Sequence, residues 1–411
     1  MDHLTNLKDW MTTEGRCSDD PVKVVSYFCS TLADAGVPIW RVNIAQSFAN
    51  PLFAATGIVW KPEEIEVNEI THAVRQTDSY LGSSFEYIFK HKKPLHKNLR
   101  NLNRETEHLS YVEFADQGGT DYYATLLQYG DASLHGCTFL TRDPKGFQLR
   151  HLEMIEAALP ALSSALEPIT MRKSSKSLLR AYLGDGPSDA VWHGTIMRGE
   201  RTTIEAVVMI SDLRGFTALS DSTTEDCVFE ALNGYFDAVV QSVEGHGGDV
   251  LKFIGDGTLS IFPISDNADR AHQCRQATLA AKDALAGLAA LNATRAEEDQ
   301  PILDIGIGIS FGQVSYGIIG SPGRLDFTVL GGAVNVASRI EALTKTVGNR
   351  VLATAAVAHS VPELYSSCGT HAIRGISAPL EVFTPFDGHK ALDDTASREG
   401  RSAMTRPAPS S

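Results

Sequence analysis

The sequence is informative first through what it lacks. Nowhere in its 411 residues is there an uninterrupted apolar run of the roughly 18 residues that a membrane-spanning helix needs. The opening Met1-Asp2-His3-Leu4-Thr5 has no basic-then-apolar pattern of a secretory signal. No membrane partner is therefore expected, and the cytoplasm is the expected location. The six cysteines, at 17, 29, 137, 227, 274 and 368, form no Cys-x-x-Cys pair, which argues against a structural zinc site or disulfide scaffold and for reduced thiols. Basic residues are outnumbered 36 to 50, leaving a formal net charge of -14. That sign is wrong for a general nucleic-acid or anionic-membrane binder. No internal repeat is evident.

With 43% hydrophobic and 21% charged residues, the chain can build ample cores, and its length suits two or three domains of about 100–200 residues each. Residues 1–21 are polar and expected to be loosely ordered. Val22 to Ala35 reads as an amphipathic helix closed by Gly36. Strands are expected at Trp40 to Ile44, Gly57 to Trp60, Ser84 to Phe89, Tyr122 to Leu127 and His135 to Thr141. A long helical pattern opens at Gly146-Phe147. This order resembles a GAF-type sensory domain over residues 1–150, which implies an unknown small-molecule or protein input. His72, His91, His96, His108 and His135 lack metal-ligand spacing and read as surface or core residues.

Leu152, Ile155, Leu159, Leu162 and Leu166 make a stripe of three- and four-residue steps, with Pro160 beside it expected to kink or shorten the helix. A second helical piece around Ser174 to Leu183 is stopped by Gly184. Residues 151–204 read as a helical connector, and 388–411 as a disordered tail.

The chemistry concentrates further on. The apolar run Ala206-Val207-Val208-Met209-Ile210 reads as a buried strand, ending at Asp212 before a turn through Gly215. After a helix over Thr224 to Gly245, with Val228, Leu232, Phe236 and Val239 on one face, Gly247-Gly248 turns and Asp249 to Ile254 runs as a strand. Gly255-Asp256 turns again, and Thr258 to Phe262 runs back. A long Ala-rich helix follows from about Asn267 to Ala293. Ile302 to Ser310 is strand-like, Gly312 to Gly317 is expected to turn, Arg324 to Val329 is a strand, and Val334 to Leu343 a helix. An Asp after a strand is often only a cap or turn residue. Two carboxylates at neighbouring strand ends are also an oxygen-ligand site for Mg²⁺ or Mn²⁺, and such ions lie about 3.5–4 Å apart in two-metal phosphoryl chemistry.

Three motifs occur in order: Asp212-Leu213-Arg214-Gly215-Phe216-Thr217, Lys252-Phe253-Ile254-Gly255-Asp256, and Asp326-Phe327-Thr328 through Asn335-Val336-Ala337-Ser338-Arg339. Over residues 205–387 this series resembles the class III nucleotidyl cyclase catalytic domain. The resemblance implies an α/β (α+β) fold of the ferredoxin-like βαββαβ type, a homodimer with two shared active sites, and conversion of ATP to cyclic AMP and pyrophosphate. It casts Asp212, Asp256 and the Leu213 carbonyl as ligands of two Mg²⁺ or Mn²⁺ ions, and Gly215 and Phe216 as substrate-binding residues. It also makes Arg339 the transition-state arginine and Asn335 the ribose-orienting residue. The ammonium of Lys252 can donate to adenine N1 and the hydroxyl of Thr328 can accept from N6. Guanylate cyclases typically carry Glu and Cys there, so ATP is the expected substrate. The family's lysine near the C-terminal hairpin is absent from Ala372-Ile373-Arg374-Gly375-Ile376-Ser377, leaving Arg374 as its possible substitute. The alternatives are a guanylate cyclase and a catalytically silent nucleotide-binding signalling module. Gly247-Gly248-Asp249 also suggests a diguanylate cyclase, but the Glu-Phe expected after it is missing.

Overall fold

The computed structural model describes residues 2–51, 53–264, 270–374 and 378–386. The chain divides into two compact units, Met1–Tyr182 and Leu183–Ser411. The expected disordered tail and the stretch Gly375 to Ser377 lie outside the described residues.

The first unit opens with α1 (Asp2–Trp10), continued by a short π-helical segment to Gly15, and α2 (Pro21–Asp34). The expectation of a loose start is corrected: Leu7 and Met11, four apart on one helical face, are 1% and 0% exposed and pack with Phe28 and Leu32. The Asp20 carboxylate accepts from the Val22 N–H at 2.8 Å to cap α2. Then come β1 (Arg41–Ser47), β2 (Phe53–Lys61), β3 (Glu64–Thr71), α3 (Ser84–His91), β4 (Leu95–Asn98), α4 (Leu109–Asp116), β5 (Asp121–Gln128), β6 (Leu134–Thr141) and α5 (Leu149–Leu183). The strands form one antiparallel sheet in the order β3-β2-β1-β6-β5-β4.

Two expectations are overturned here. Ser84 to Phe89 is helical, because the Ser83 hydroxyl caps the Glu86 N–H and Ile88 is buried in register for a helix; its aromatic and β-branched residues had suggested a strand. The helix beyond Gly146 is one 35-residue element that contains both Pro160 and Pro168. Each proline forgoes one backbone hydrogen bond, but Ala158, Leu159, Leu162, Ala165 and Leu166 around them are buried in the core. Packing carries the helix through.

The second unit contains α6 (Asp185–Trp192), β7 (Arg201–Leu213), α7 (Phe216–Ser222), α8 (Glu225–Gly245), β8 (Asp249–Ile254), β9 (Gly257–Ile264), α9 (Arg270–Glu297), β10 (Ile305–Ser321), β11 (Arg324–Leu330), α10 (Gly332–Val347), β12 (Val351–Thr354), α11 (Ala355–Ala358), β13 (Tyr365–His371) and β14 (Leu380–Pro385). Its sheet runs β13-β14-β12-β10-β7-β9-β8, with β11 paired to β10. The central order β10-β7-β9-β8, all antiparallel, is that of a βαββαβ unit built from β7, α8, β8, β9, α9 and β10.

Side chains alternate along β7. Val207 and Met209 join the core with α8 and α9, while Ala206 and Val208 join a second cluster with Ala333 and Ala337 of α10. On α8 the fully buried face is Ala231, Tyr235, Val239 and Val243. Of the expected face, Val239 is fully buried, whereas Leu232 and Phe236 only flank the core. The expected turn at Gly312 to Gly317 is absent, since β10 runs unbroken for 17 residues and turns only before Arg324.

The glycines of β10 have another purpose. A Cβ on Gly308 would fall against the Ala337 carbonyl oxygen and 2.6 Å from the Glu341 nitrogen, and one on Gly312 would sit 3.2 Å from the Ala333 Cβ. Alternate glycines thus let α10 lie directly on the strand. We expect Gly308→Ala to destabilise the protein by about 2–4 kcal/mol in denaturant unfolding. Gly323→Ala, where an added Cβ meets nothing within 4 Å, should leave stability unchanged; equal effects would contradict this packing.

Candidate active site

Asp212 stands at the end of β7, directly opposite Gly257 of β9 on one side and Gly306 of β10 on the other. Opposed residues in an antiparallel ladder share a face, so all three positions face α10. A Cβ on Gly257 would start 3.1 Å from the Asp212 Oδ1. The paired glycines leave a cradle that any side chain would fill. Asp256, in the turn between β8 and β9, is tied in by its backbone carbonyl, which accepts from the Leu213 N–H at 3.2 Å. Burial and the neighbouring Asp256 carboxylate push the Asp212 carboxyl above its usual range, against the opposing pull of Lys345. On the opposite face, the Ser211 hydroxyl meets the Tyr235 hydroxyl at 2.6 Å and the Thr258 hydroxyl at 2.7 Å, fully buried. That triad pins the strand ends from which the two carboxylates project.

Gly215 has a φ of 74° at the start of α7, a left-handed conformation suited to glycine, and Phe216 packs at the edge of the core. Beside them the terminal nitrogens of Arg214 donate to Asp304 at 3.1 Å and to the Asn349 carbonyl at 3.3 Å.

Lys252 lies on β8, and its ammonium is held by the Asp326 carboxylate at 2.5 Å. Asp326 and Thr328 are two apart on β11 and so share a face; Thr328 is 5% exposed. Sequence reasoning quoted Asp326 within its motif but gave it no role, although the two-residue step to Thr328 was there to read.

Along α10, Ala333, Ala337 and Glu341 form the buried stripe against β10. Asn335 and Arg339 lie two positions on, about 200° round the helix, and point away from that strand. Asn335 is exposed and Arg339 half-buried. Arg339 and Arg374 line one cavity of about 480 Å³ with Leu343 and Ile373. The structure thus brings together Asp212 with Asp256, Lys252 with Asp326 two residues before Thr328, and Arg339 with Arg374.

Glu341 was missed. It is 6% exposed, its Oε1 has no hydrogen-bond partner among the described residues, and that oxygen lies 2.5 Å from where a Gly306 Cβ would be. Burial first, then Asp212, push its carboxyl from 4.5 up to about 7, with Lys345 and Arg214 pulling the other way and Asp256 adding to the rise. A charged residue in the apolar stripe of a helix was the available signal.

Among the described residues, no group of three or more His, Cys, Asp or Glu side chains is placed to hold a metal. Two hard carboxylates over an open cradle still suit Mg²⁺ or Mn²⁺, because Mg²⁺ is commonly held by one or two carboxylates together with substrate phosphates and water. In the first unit, His135 is buried with both ring nitrogens engaged, by the Ser47 N–H and the Ser133 hydroxyl, each at 3.0 Å. Burial drives its pKa down to about 4. It is a neutral core histidine.

Comparison with known proteins places residues 200–373 in the family described as the adenylate and guanylate cyclase catalytic domain. Adenylate cyclase 1 of Rhizobium meliloti is 30% identical over 195 residues, covering 46% of this chain and 29% of that protein. Adenylate cyclase of Anabaena cylindrica is 34% identical over 170 residues, covering 41% of this chain and 33% of that protein. The chain thus spans about a third of the length of these curated relatives. A solved bacterial light-regulated adenylyl cyclase is 30% identical and overlays with a TM-score of 0.41, covering 48% of this chain and 98% of that one. Residues 200–373 thus match the catalytic domain of the class III nucleotidyl cyclases, and no helix of the described residues is long and apolar enough to cross a membrane.

The raised Glu341 carboxyl has a consequence for stability. The folded chain keeps this proton up to about pH 7, whereas the unfolded chain releases it near about 4.3, so the contribution to stability is full below that value and is lost as pH rises through 7. In EDTA, Glu341→Gln should gain of order 3 kcal/mol relative to wild type between pH 4.5 and 8. Parallel pH profiles in urea unfolding would contradict the assignment.

Proposed function

We propose that the protein is an adenylate cyclase, converting ATP to 3',5'-cyclic AMP and pyrophosphate at two sites shared across a homodimer. The observation that carries this reading is the disposition of α10: it lays Glu341 towards Asp212 and turns Asn335 and Arg339 the other way. The arginine and the carboxylates of one chain therefore face different directions, as complementary halves of a shared site would. The silent-module alternative leaves the occurrence of all these groups in one domain without a purpose.

In this reading Asp212, Asp256 and the Leu213 carbonyl hold the divalent ions. Bound there, Mg²⁺ or Mn²⁺ would supply positive charge that favours the ribose 3'-alkoxide and neutralises the triphosphate. Gly215 and Phe216 lie beside the metal pair, where the nucleotide's phosphates would pass. From the other chain, Arg339 donates to charge growing on the α-phosphoryl oxygens and Asn335 orients the ribose. Arg374, sharing the Arg339 cavity, is the cation available to the β- and γ-phosphates in place of the family's lysine.

Base choice rests on Lys252 and Thr328. The Asp326 carboxylate accepts from the Lys252 ammonium and fixes its direction, and the remaining N–H bonds can donate to adenine N1 while the Thr328 hydroxyl oxygen accepts from N6. One observation favours guanine: Asp326 itself could accept from a guanine N1–H while Lys252 donates to O6. The two readings predict opposite preferences.

Residues 1–150 are proposed as a GAF-like sensory domain, and 151–204 as the connector to the catalytic domain. Support comes from the six-stranded antiparallel sheet and a cavity of about 510 Å³ bordered by Ala45, Ser47, Ile70, Phe85 and Phe89, with Arg75 among its lining, a volume suited to a small molecule.

The test is product formation by the purified full-length protein with ATP and with GTP, in Mg²⁺ and in Mn²⁺. Cyclic AMP should predominate, and Asp256→Ala should lower turnover about a hundredfold or more. Predominant cyclic GMP would favour the guanine reading. No product from either nucleotide under any of these conditions would sink the enzyme assignment.

A further inference from the structure

Glu341 has no part in the reactions just described, yet it is a buried carboxyl whose Oε1 has no hydrogen-bond partner among the described residues. An unsatisfied buried acceptor is costly, and more so when charged. Its surroundings offer little relief. The Thr344 hydroxyl nearby donates to the Glu341 backbone carbonyl at 2.5 Å. Arg214 gives its two terminal nitrogens to Asp304 and the Asn349 carbonyl, with its Nε unpartnered among the described residues, and Lys345 is exposed. The other charges acting on Glu341 are Asp212 and Asp256, which repel it.

Its position suggests what would relieve it. The unpartnered Oε1 lies over Gly306, the residue directly opposite Asp212 in the β7–β10 ladder. Facing Cβ positions in such a pair are about 4.5–5.5 Å apart, so this oxygen borders the space beside the Asp212 carboxylate. Direct coordination is not the natural role, because Glu341 does not group with Asp212 and Asp256 as a third ligand among the described residues. A divalent ion at an oxygen site keeps several water molecules, each with hydrogens to donate, and carboxylates just outside the ligand shell orient what lies within it.

We propose that Glu341 is a positioning residue for the divalent ion, its Oε1 accepting a hydrogen bond from a water in the shell of the ion held by Asp212 and Asp256. This rests on the metal reading of the two aspartates. A third carboxylate placed one shell out adds charge for ion capture without taking up a coordination position that the triphosphate needs. It also explains why the close seating of α10 is kept with a glutamate, rather than an apolar residue, in its buried stripe.

The experiment is titration of Mn²⁺ into the full-length protein at pH 8, with free ion followed by electron paramagnetic resonance, for wild type, Asp256→Ala, Glu341→Gln and Glu341→Asp. Thermal unfolding in EDTA checks each fold. The expected result is loss of the site in Asp256→Ala and a rise in the dissociation constant of about tenfold in Glu341→Gln. Glu341→Asp, which keeps the charge but draws it back, should fall between. If Asp256→Ala abolishes binding while both Glu341 variants bind within twofold of wild type, the proposal is overturned and the metal reading stands. If wild type shows no Mn²⁺ site, or Asp256→Ala binds as wild type does, the metal reading fails and the proposal with it. A change in EDTA stability alone, with unchanged Mn²⁺ affinity, identifies Glu341 as structural.

Discussion

The second unit depends on the direct contact between the backbone of α10 and the glycine face of β10. Gly306, Gly308 and Gly312 sit two and four residues apart on one strand, and two of them meet α10 so closely that a methyl group has no room. That contact sets how far the helix stands from the sheet. It thereby sets where Glu341 lies relative to Asp212, and how Asn335 and Arg339 are presented on the far side. A helix held off by ordinary side chains would sit a few ångströms further out, and its charged groups would lose their relation to the strand ends.

The same seating concentrates charge at a cost. Asp212 and Asp256 already repel each other at the end of the central strand, and α10 adds a third carboxyl from above. In a protein selected only for stability, such a cluster would be replaced by apolar side chains or paired with arginine. The available arginine, Arg214, is instead drawn to Asp304, and the hydroxyl triad of Ser211, Tyr235 and Thr258 braces the strands from beneath. In the proposed reading, divalent cations complete this carboxylate cluster. The other side of α10 carries Asn335, exposed, and Arg339, half-buried.

Much of this was legible in the chain. The strand ending at Asp212, the hairpin around Asp256, and Asn335 and Arg339 spaced four apart on a helix follow from local patterns, because apolar runs, Gly turns and helical periodicity act within a few residues. Other features were not. Ser84 to Phe89 carries strand-prone residues, and a single capping serine decides it as a helix. Pro160 and Pro168 would normally end a helix, and only burial on a core that the sequence does not display keeps α5 continuous. Gly312 and Gly317 read as turn signals, although at Gly312 the missing side chain serves a helix packed above it. The ion pair of Lys252 with Asp326 joins residues 74 apart, and the setting of Glu341 exists only once α10 lies on β10. Contacts made across the fold leave weak local traces, and that is where the reading fell short.

In the proposed homodimer one chain supplies the metal carboxylates and another the arginine. The most direct measurement mixes two inactive full-length variants, Asp212→Ala and Arg339→Ala, under conditions where subunits exchange, with heterodimer formation verified by differential tagging and native mass spectrometry. In a heterodimer of these two, one of the two shared sites would contain neither substitution. Cyclic nucleotide formation should return on mixing, to about half the wild-type rate per verified heterodimer for independent sites. Verified heterodimers that remain as inactive as either variant alone would contradict it.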